Sequence, residues 1–486
     1  MRKPRILHLK LNLRKIAVLS ILLVLLDTSC AVNPVTGKKE LMLISEQEEI
    51  ALGKNTDKEI SLQYGLYDDP ELLAYVQSVG KRLVPNTHRP NLPYQFAILD
   101  TPVINAFAVP GGYVYVTRGI LALMGSEAEL AAVLSHELGH VNARHGVRRM
   151  SQMLIVQLGL AVGSALSDTV AKISGVASIG VQLLFLKYSR DDEREADSLG
   201  IDYSRKGEYN PGEMVAFFSS LQKMGDLSGG YSLPGFLSTH PLTGERIQNV
   251  KKMLSDTDAA LAVRKEDYLR KSDGMIYGED PRQGYTENNA FYHPLLQFTF
   301  EPPKGWKVQN TPAQVTMSPE NGSAAVILNA EKSGEGLEAY ARKKAEAIEG
   351  RSFISERAAS VNGLASFEQI YDVTQAEQET LRVRLSYIQK GGYIYSFSSL
   401  STSLNFGTYD ASFQGVVRSF RDLKDPNFLN RQPRRLKMVQ ADGSLALEGY
   451  FKQAGMDQEG WKQAAVLNGM NPGATPARSQ WVKTVK

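Results

Sequence analysis

The chain has 486 residues, 43% of them apolar and 22% charged, an ordinary globular composition with room for about three folded units. Wholesale disorder and a multispan membrane protein are excluded. Six of the 55 basic residues and one of the 52 acidic residues precede Cys30, so the net +3 belongs to the N-terminus. The remaining 49 basic and 51 acidic residues carry −2 with no basic tract, and no nucleic-acid partner is expected.

Residues 1–29 read as a secretion signal, because a basic stretch precedes an apolar run from Ile16 to Leu26. At about 1.5 Å per helical residue that run is too short to cross about 30 Å of hydrocarbon. The only cysteine, Cys30, follows the run and the small residues Thr28 and Ser29. This placement resembles a bacterial lipoprotein signal, which implies a lipid anchor on Cys30 and residues 30–44 as a flexible tether. The alternative is an ordinary cleaved signal with a free thiol; both readings export the chain.

Ser45-x-x-Glu48 is a capping box opening a polar helix through Lys58. A second helix is expected from Pro70 to Leu83, where Leu72, Leu73, Val76, Val79 and Leu83 recur at helical spacing. Tyr94 to Asp100 and Tyr113 to Thr117 read as strands separated by the turn Pro110-Gly111-Gly112. A further capping box, Ser126-x-x-Glu129, opens an amphipathic helix with Leu130, Val133, Leu134, Leu138 and Val141 on one face. The apolar stretch from Leu154 to Leu186 reads as buried helices of the same domain, with a flap over a cleft or an interfacial surface as the alternative.

The capped helix carries His136-Glu137-Leu138-Gly139-His140, an H-E-x-x-H motif. Residues four apart share a helix face, so both imidazoles can reach one Zn²⁺ with Glu137 beside them as general base. A catalytic zinc needs a third protein ligand, and Glu193 in the acidic run from Asp191 to Asp197 is the best candidate. His145, about 500° around the same helix from His140, is expected to point away from the metal as a solvated or capping group. His88 and His293 fall in loops, and none of these three is assigned to zinc.

Four motifs occur in order between about Asn33 and Val250: Asn105-Ala106-Phe107-Ala108-Val109-Pro110-Gly111-Gly112, the His136 to His140 motif, Glu193-x-x-Ala196-Asp197, and Ser238-Thr239-His240-Pro241 with Arg246. Together they resemble the CaaX-protease-like zinc endopeptidases, with the layout of exported BepA-like and lipoprotein-type members. The resemblance implies a mainly α-helical, zincin-like domain with a short β edge. It implies one zinc ion held by His136, His140 and Glu193, with Glu137 as base and Asp197 orienting a ligand histidine. Asn105, His240 and Arg246 would line the cleft, holding substrate backbone or stabilising the tetrahedral intermediate. In some exported members the histidine of the His-Pro motif plugs the metal, which leaves His240 either an electrophile or a latch. The strand from Tyr113 to Thr117 is expected to accept an extended peptide by β-augmentation.

After the peptidase domain at 45–270, residues 271–289 read as a linker, rich in Gly, Asp, Pro and Asn. Residues 290–425 alternate as strands around one helix, an α+β domain that resembles PsbP-like domains. A second linker, 426–434, leads to 435–486, which resembles a diverged LysM module with a βααβ fold and possible binding to peptidoglycan. The whole reads as an exported zinc endopeptidase of the cell envelope, facing the periplasm, that cleaves misfolded or stalled envelope proteins. A chaperone or assembly factor whose metal site is plugged by His240 is the rival.

Overall fold

The computed structural model describes residues 30–163, 188–227, 235–374 and 379–486. Most of the apolar stretch from Leu154 to Leu186 lies outside the described residues. Among the described residues, no helix is long and apolar enough to cross a membrane.

The expected tether is folded. Strands β1 (Cys30–Val32) and β2 (Lys39–Leu41) form an antiparallel hairpin whose turn is built by Asn33. The Asn33 side-chain oxygen accepts from the amides of Val35 at 2.8 Å and Thr36 at 3.2 Å, and its amide nitrogen donates to the Ala143 carbonyl. The Leu43 amide donates to Ser151 Oγ at 2.9 Å, so residues 30–44 lie against the peptidase domain.

Helix α1 (Glu46–Tyr64) begins at the Ser45–Glu48 capping box and runs past Lys58 to Gly65, whose φ of 69° ends it. Helix α2 (Pro70–Leu83) is capped by Asp69, starts on proline and buries Leu72, Val76, Val79 and Leu83. A three-stranded sheet follows, of β3 (Gln95–Leu99), β4 (Ala106–Val109) and β5 (Tyr113–Thr117) in the order β3-β5-β4. Strand β5 is therefore central, paired in parallel with β3 and antiparallel with β4, and has no free edge to offer a peptide. The expected β-augmentation at Tyr113 to Thr117 is corrected on that ground; among the described residues β4 pairs only with β5 and is the open edge.

Helices α3 (Arg118–Leu123) and α4 (Glu127–Asn142) come next, and every residue of α4 is buried. The expected amphipathic helix is thus a central one, because the small side chains Ala128, Ala131, Ala132 and Ser135 let neighbours cover its other faces. Around it pack α5 (His145–Gly163), α6 (Arg190–Lys206), α7 (Glu213–Leu227), α8 (Phe236–Thr239), α9 (Gly244–Met253) and α10 (Lys265–Ser272).

The stretch expected as the first linker is packed. Met275 and Ile276 belong to the peptidase core, and Arg118 donates to the carbonyls of Ile276 at 3.0 Å and Gly278 at 3.1 Å. The α+β domain begins inside that stretch, at β6 (Tyr285–Glu287), which pairs with β7 (Ala290–His293) in a sheet with β8 (Phe298–Phe300). The larger sheet is seven-stranded and antiparallel, built of β9 (Lys307–Asn310), β10 (Val315–Ser318), β11 (Ala324–Lys332), β12 (Arg351–Val361), β13 (Leu364–Val373), β14 (Leu381–Lys390) and β15 (Tyr393–Thr402). Helix α11 (Leu337–Glu346) packs into one apolar cluster and α12 (Phe406–Ser419) into another.

His293 gives this domain a pH dependence. Burial holds its imidazole down at about 4, and Nδ1 accepts the Leu296 amide at 3.2 Å, which a protonated Nδ1 cannot do. The unfolded chain takes up that proton near 6.5, so stability is full above pH 6.5 and is lost as pH falls toward 4, by about 3 kcal/mol in all. Urea unfolding at pH 7.5 and 4.5 measures the loss, and His293→Leu flattens it; equal slopes in both proteins refute the assignment.

After strand β16 (Arg421–Asp422) and the short helix α13 (Pro426–Leu429), the chain ends in a strand-helix-helix-strand unit. Its elements are β17 (Leu436–Gln440), α14 (Leu447–Gln453), α15 (Gln458–Leu467) and β18 (Trp481–Val485), with β17 and β18 antiparallel. The βααβ order matches the expectation, but the unit does not stand apart: Leu436, Met438, Val466, Leu467 and Val485 share one core with α4. The buried ammonium of Lys483 donates to the carbonyls of Ala122, at 2.8 Å, and Met124.

Candidate active site

Two close helix contacts assemble the site. A Cβ on Gly139 would stand 3.1 Å from the Cα of Ala196, and one on Gly200 would stand 3.2 Å from the His136 nitrogen. The absent side chains let α4 and α6 approach until Glu193, one turn before Ala196, meets the two imidazoles. A capping box between Ser189 and Asp192 fixes where α6 begins.

His140 Nε2 lies 3.1 Å from His136 Nε2 and 3.5 Å from Glu193 Oε1, and Glu193 Oε2 lies 3.7 Å from His136 Nε2. His240 comes from the turn after α8 and joins them, with Nδ1 2.9 Å from Glu193 Oε1 and 3.3 Å from His136 Nε2. One ligand atom from each of these four buried residues lies within 4.8 Å of the others. His240 Nε2 is 3.6 Å from Glu137 Oε1, and neither Glu137 oxygen nor His240 Nε2 has a hydrogen-bond partner. Buried polar atoms are rarely left unpaired, and nitrogen and oxygen donors gathered this tightly fit a zinc-like cation.

The surrounding charges hold this arrangement. Asp197 Oδ1 is 3.1 Å from His136 Nδ1, and Arg246 donates to both Asp197 oxygens at 2.8 and 2.6 Å. Burial raises the Asp197 pKa, but the bonds from Arg246 and His136 outweigh it and bring it down to about 2. Arg246 Nη1 also lies 2.7 Å from Glu193 Oε2 and donates to the Pro241 carbonyl at 3.2 Å. Each nitrogen of Arg246 has a partner here, so the residue braces two carboxylates. Burial pushes the Glu137 carboxyl up, against the pull of His240 and His136.

The structure brings His136, Glu137, His140, Glu193, Asp197, His240 and Arg246 together. Asn105 stands just before β4, its main chain bonded to Thr117 and its side-chain oxygen buried without a partner. The expectation for His145 is corrected: it is 1% exposed, and its Nδ1 lies 2.9 Å from His140 Nδ1. The helix breaks at Arg144, whose φ of 55° sends His145 back toward the site. Tyr188, which stacks on the His140 ring at 3.9 Å, carried no sequence signal. His88 bonds Tyr203 at 2.6 Å and stays outside the cluster.

Residues 70–254 match the model of Peptidase family M48. The chain is 30% identical over 246 residues to the beta-barrel assembly-enhancing protease of Yersinia pestis, covering 49% of this chain and 50% of that protein. It is 27% identical over 227 residues to the mitochondrial metalloendopeptidase OMA1 of Schizosaccharomyces pombe, covering 46% and 66%. The chain thus spans about half the length of the Yersinia relative. Among solved structures, a cyanobacterial PsbP from Synechocystis aligns with 27% of this chain and 91% of its own at 13% identity, with a TM-score of 0.24. The matched segment, 70–254, is the part of the chain that gathers His136, His140, Glu193 and His240 in one buried group, and there the chain is similar to Peptidase family M48.

Proposed function

We propose that the chain is a zinc-dependent endopeptidase of the bacterial envelope that hydrolyses peptide bonds of misfolded or stalled envelope proteins. The observation that carries the reading is the convergence of His136, His140 and Glu193 beside a Glu137 whose oxygens are unpaired. His136, His140 and Glu193 would hold a zinc ion, which would supply Lewis acidity for a peptide carbonyl and for water near neutral pH. Glu137 takes the proton of the attacking water and returns it to the leaving amine, and its raised pKa brings it closer to the working range of a general base. Asp197 fixes the His136 tautomer from behind, and Arg246 holds the Asp197 carboxylate charged and braces Glu193. The open edge of β4 offers backbone groups to an extended substrate, with Asn105 at its start. Such main-chain recognition asks little of substrate sequence, which suits unfolded clients. The name of the Yersinia relative, a protease that enhances β-barrel assembly, supports envelope proteins as the substrate class.

His240 is the latch in this reading. Its ring lies among the ligand atoms, where it competes for the position that water and substrate need. His240→Ala is expected to raise cleavage of an unfolded protein several-fold at unchanged zinc content. A fall in cleavage assigns His240 to the electrophile role instead. The same placement favours a second reading, an assembly factor that binds clients and cleaves rarely. The lipid anchor on Cys30 and glycan binding by the LysM-like residues 435–486 complete the proposal; radiolabelled palmitate incorporation and sedimentation with purified peptidoglycan test them.

A further inference from the structure

His140 turns Nε2 toward His136 and Glu193. A cation held there takes the Nε2 lone pair, so the ring proton must sit on Nδ1, and a buried N–H needs an acceptor. The atom opposite is Nδ1 of His145 at 2.9 Å. For that nitrogen to accept, His145 must carry its own proton on Nε2, which lies 3.1 Å from Glu195 Oε2. Asp192 is a poorer acceptor at 3.7 Å, and it already bonds Arg148 and caps α6 at Ser189. One assignment of protons satisfies every atom of this row.

The backbone is shaped to make the row possible. In a continuous helix, His145 would project about 500° around from His140 and miss it. Arg144 instead adopts a left-handed conformation, with φ of 55°, that is unfavourable for a residue other than glycine. Its guanidinium is held in that turn by Glu49 at 2.9 Å and the Ile44 carbonyl at 2.7 Å. The sequence-distant Glu195 lies on α6 two residues after Glu193, so the helix that supplies a ligand also anchors the far end of the row.

We propose that His145 and Glu195 are positioning residues for the metal centre, a His140–His145–Glu195 row that fixes the tautomer and orientation of one ligand imidazole as Asp197 does for the other. The inference rests on the reading that His140 binds metal through Nε2. It is tested on the full chain, stripped of zinc and titrated against a chromophoric chelator. His145→Leu fills the space but cannot accept, and its zinc affinity should fall about 10- to 100-fold. His145→Gln presents an amide oxygen to His140 and an amide N–H to Glu195, and should recover most of that loss. Unchanged affinity in His145→Leu, or a Gln variant no better than the Leu variant, overturns the proposal. Should His145→Leu not fold, Glu195→Ala carries the test, because Glu195 is partly exposed and is not itself one of the ligand residues. Its affinity should fall about 10-fold, and no loss there overturns the row. Wild-type protein that takes up no zinc overturns the ligand set itself.

Discussion

Glu137→Gln should lower peptide-bond hydrolysis about 10²- to 10⁴-fold while zinc stays bound and the fold stays intact. The amide has the size of the carboxylate but cannot receive a proton, so the loss falls on proton transfer alone. The Ala108 amide faces the Glu137 carboxylate, and the amide oxygen of the variant can accept from it equally well, so little structural effect is expected. Burial already disfavours the charged form, so a neutral side chain there should leave unfolding stability unchanged or slightly higher. Three measurements decide the matter: release of fragments from a labelled unfolded protein, zinc content by elemental analysis, and the unfolding midpoint. Retention of more than a tenth of the activity would assign the base elsewhere. A variant that loses cleavage yet fully complements a deletion would favour the assembly-factor reading.

What the sequence made legible was mostly local. Ser45 and Ser126 announce helix starts through side chains that cap their own backbones, and α1 and α4 begin where those residues stand. His136 and His140 share a face by helical periodicity and Glu137 is adjacent in sequence, so three members of the site need no long-range information. Glu193 lies more than fifty residues downstream and is marked only by the need of a zinc site for a third ligand. The determinant that brings it in is less visible: Gly139, Ala196 and Gly200 give two helices their closest approach, and small residues leave no signature of partner or distance.

The misreadings have a common cause in tertiary context. A left-handed Arg144 has no glycine to mark it, so helical periodicity alone runs on through His145 and puts its ring on the wrong side. Strand β5 looks like an edge when read alone, and only its parallel pairing with β3 makes it central. Residues 30–44 and 271–289 are rich in turn formers, yet Asn33 builds a hairpin in one and Met275 and Ile276 enter the core from the other. Arg246 sits 49 residues from Asp197, and nothing in either segment shows that a bidentate pair joins them.

Loss of Glu49 should destabilise the peptidase domain by about 3–5 kcal/mol, the usual cost of breaking a buried ion pair from one side. Glu49 is 1% exposed and accepts from Arg89 through both oxygens, at 3.0 and 2.9 Å, and from Arg144 at 2.9 Å. It also receives the Gly111 amide at 3.3 Å, so one carboxylate ties α1 to the end of the metal helix and to the turn between β4 and β5. Glu49→Ala leaves two buried guanidinium groups without their common counter-charge and releases the left-handed turn at Arg144. Because that turn aims His145, zinc affinity should fall together with stability. Glu46→Ala is the internal control: Glu46 also pairs with Arg89 but is largely exposed, and its removal should cost less than about 1 kcal/mol. Urea unfolding of the two variants beside wild type separates the cases. Equal midpoints for Glu49→Ala and Glu46→Ala would show that burial adds nothing to this pair and that the Arg144 turn is held by other contacts.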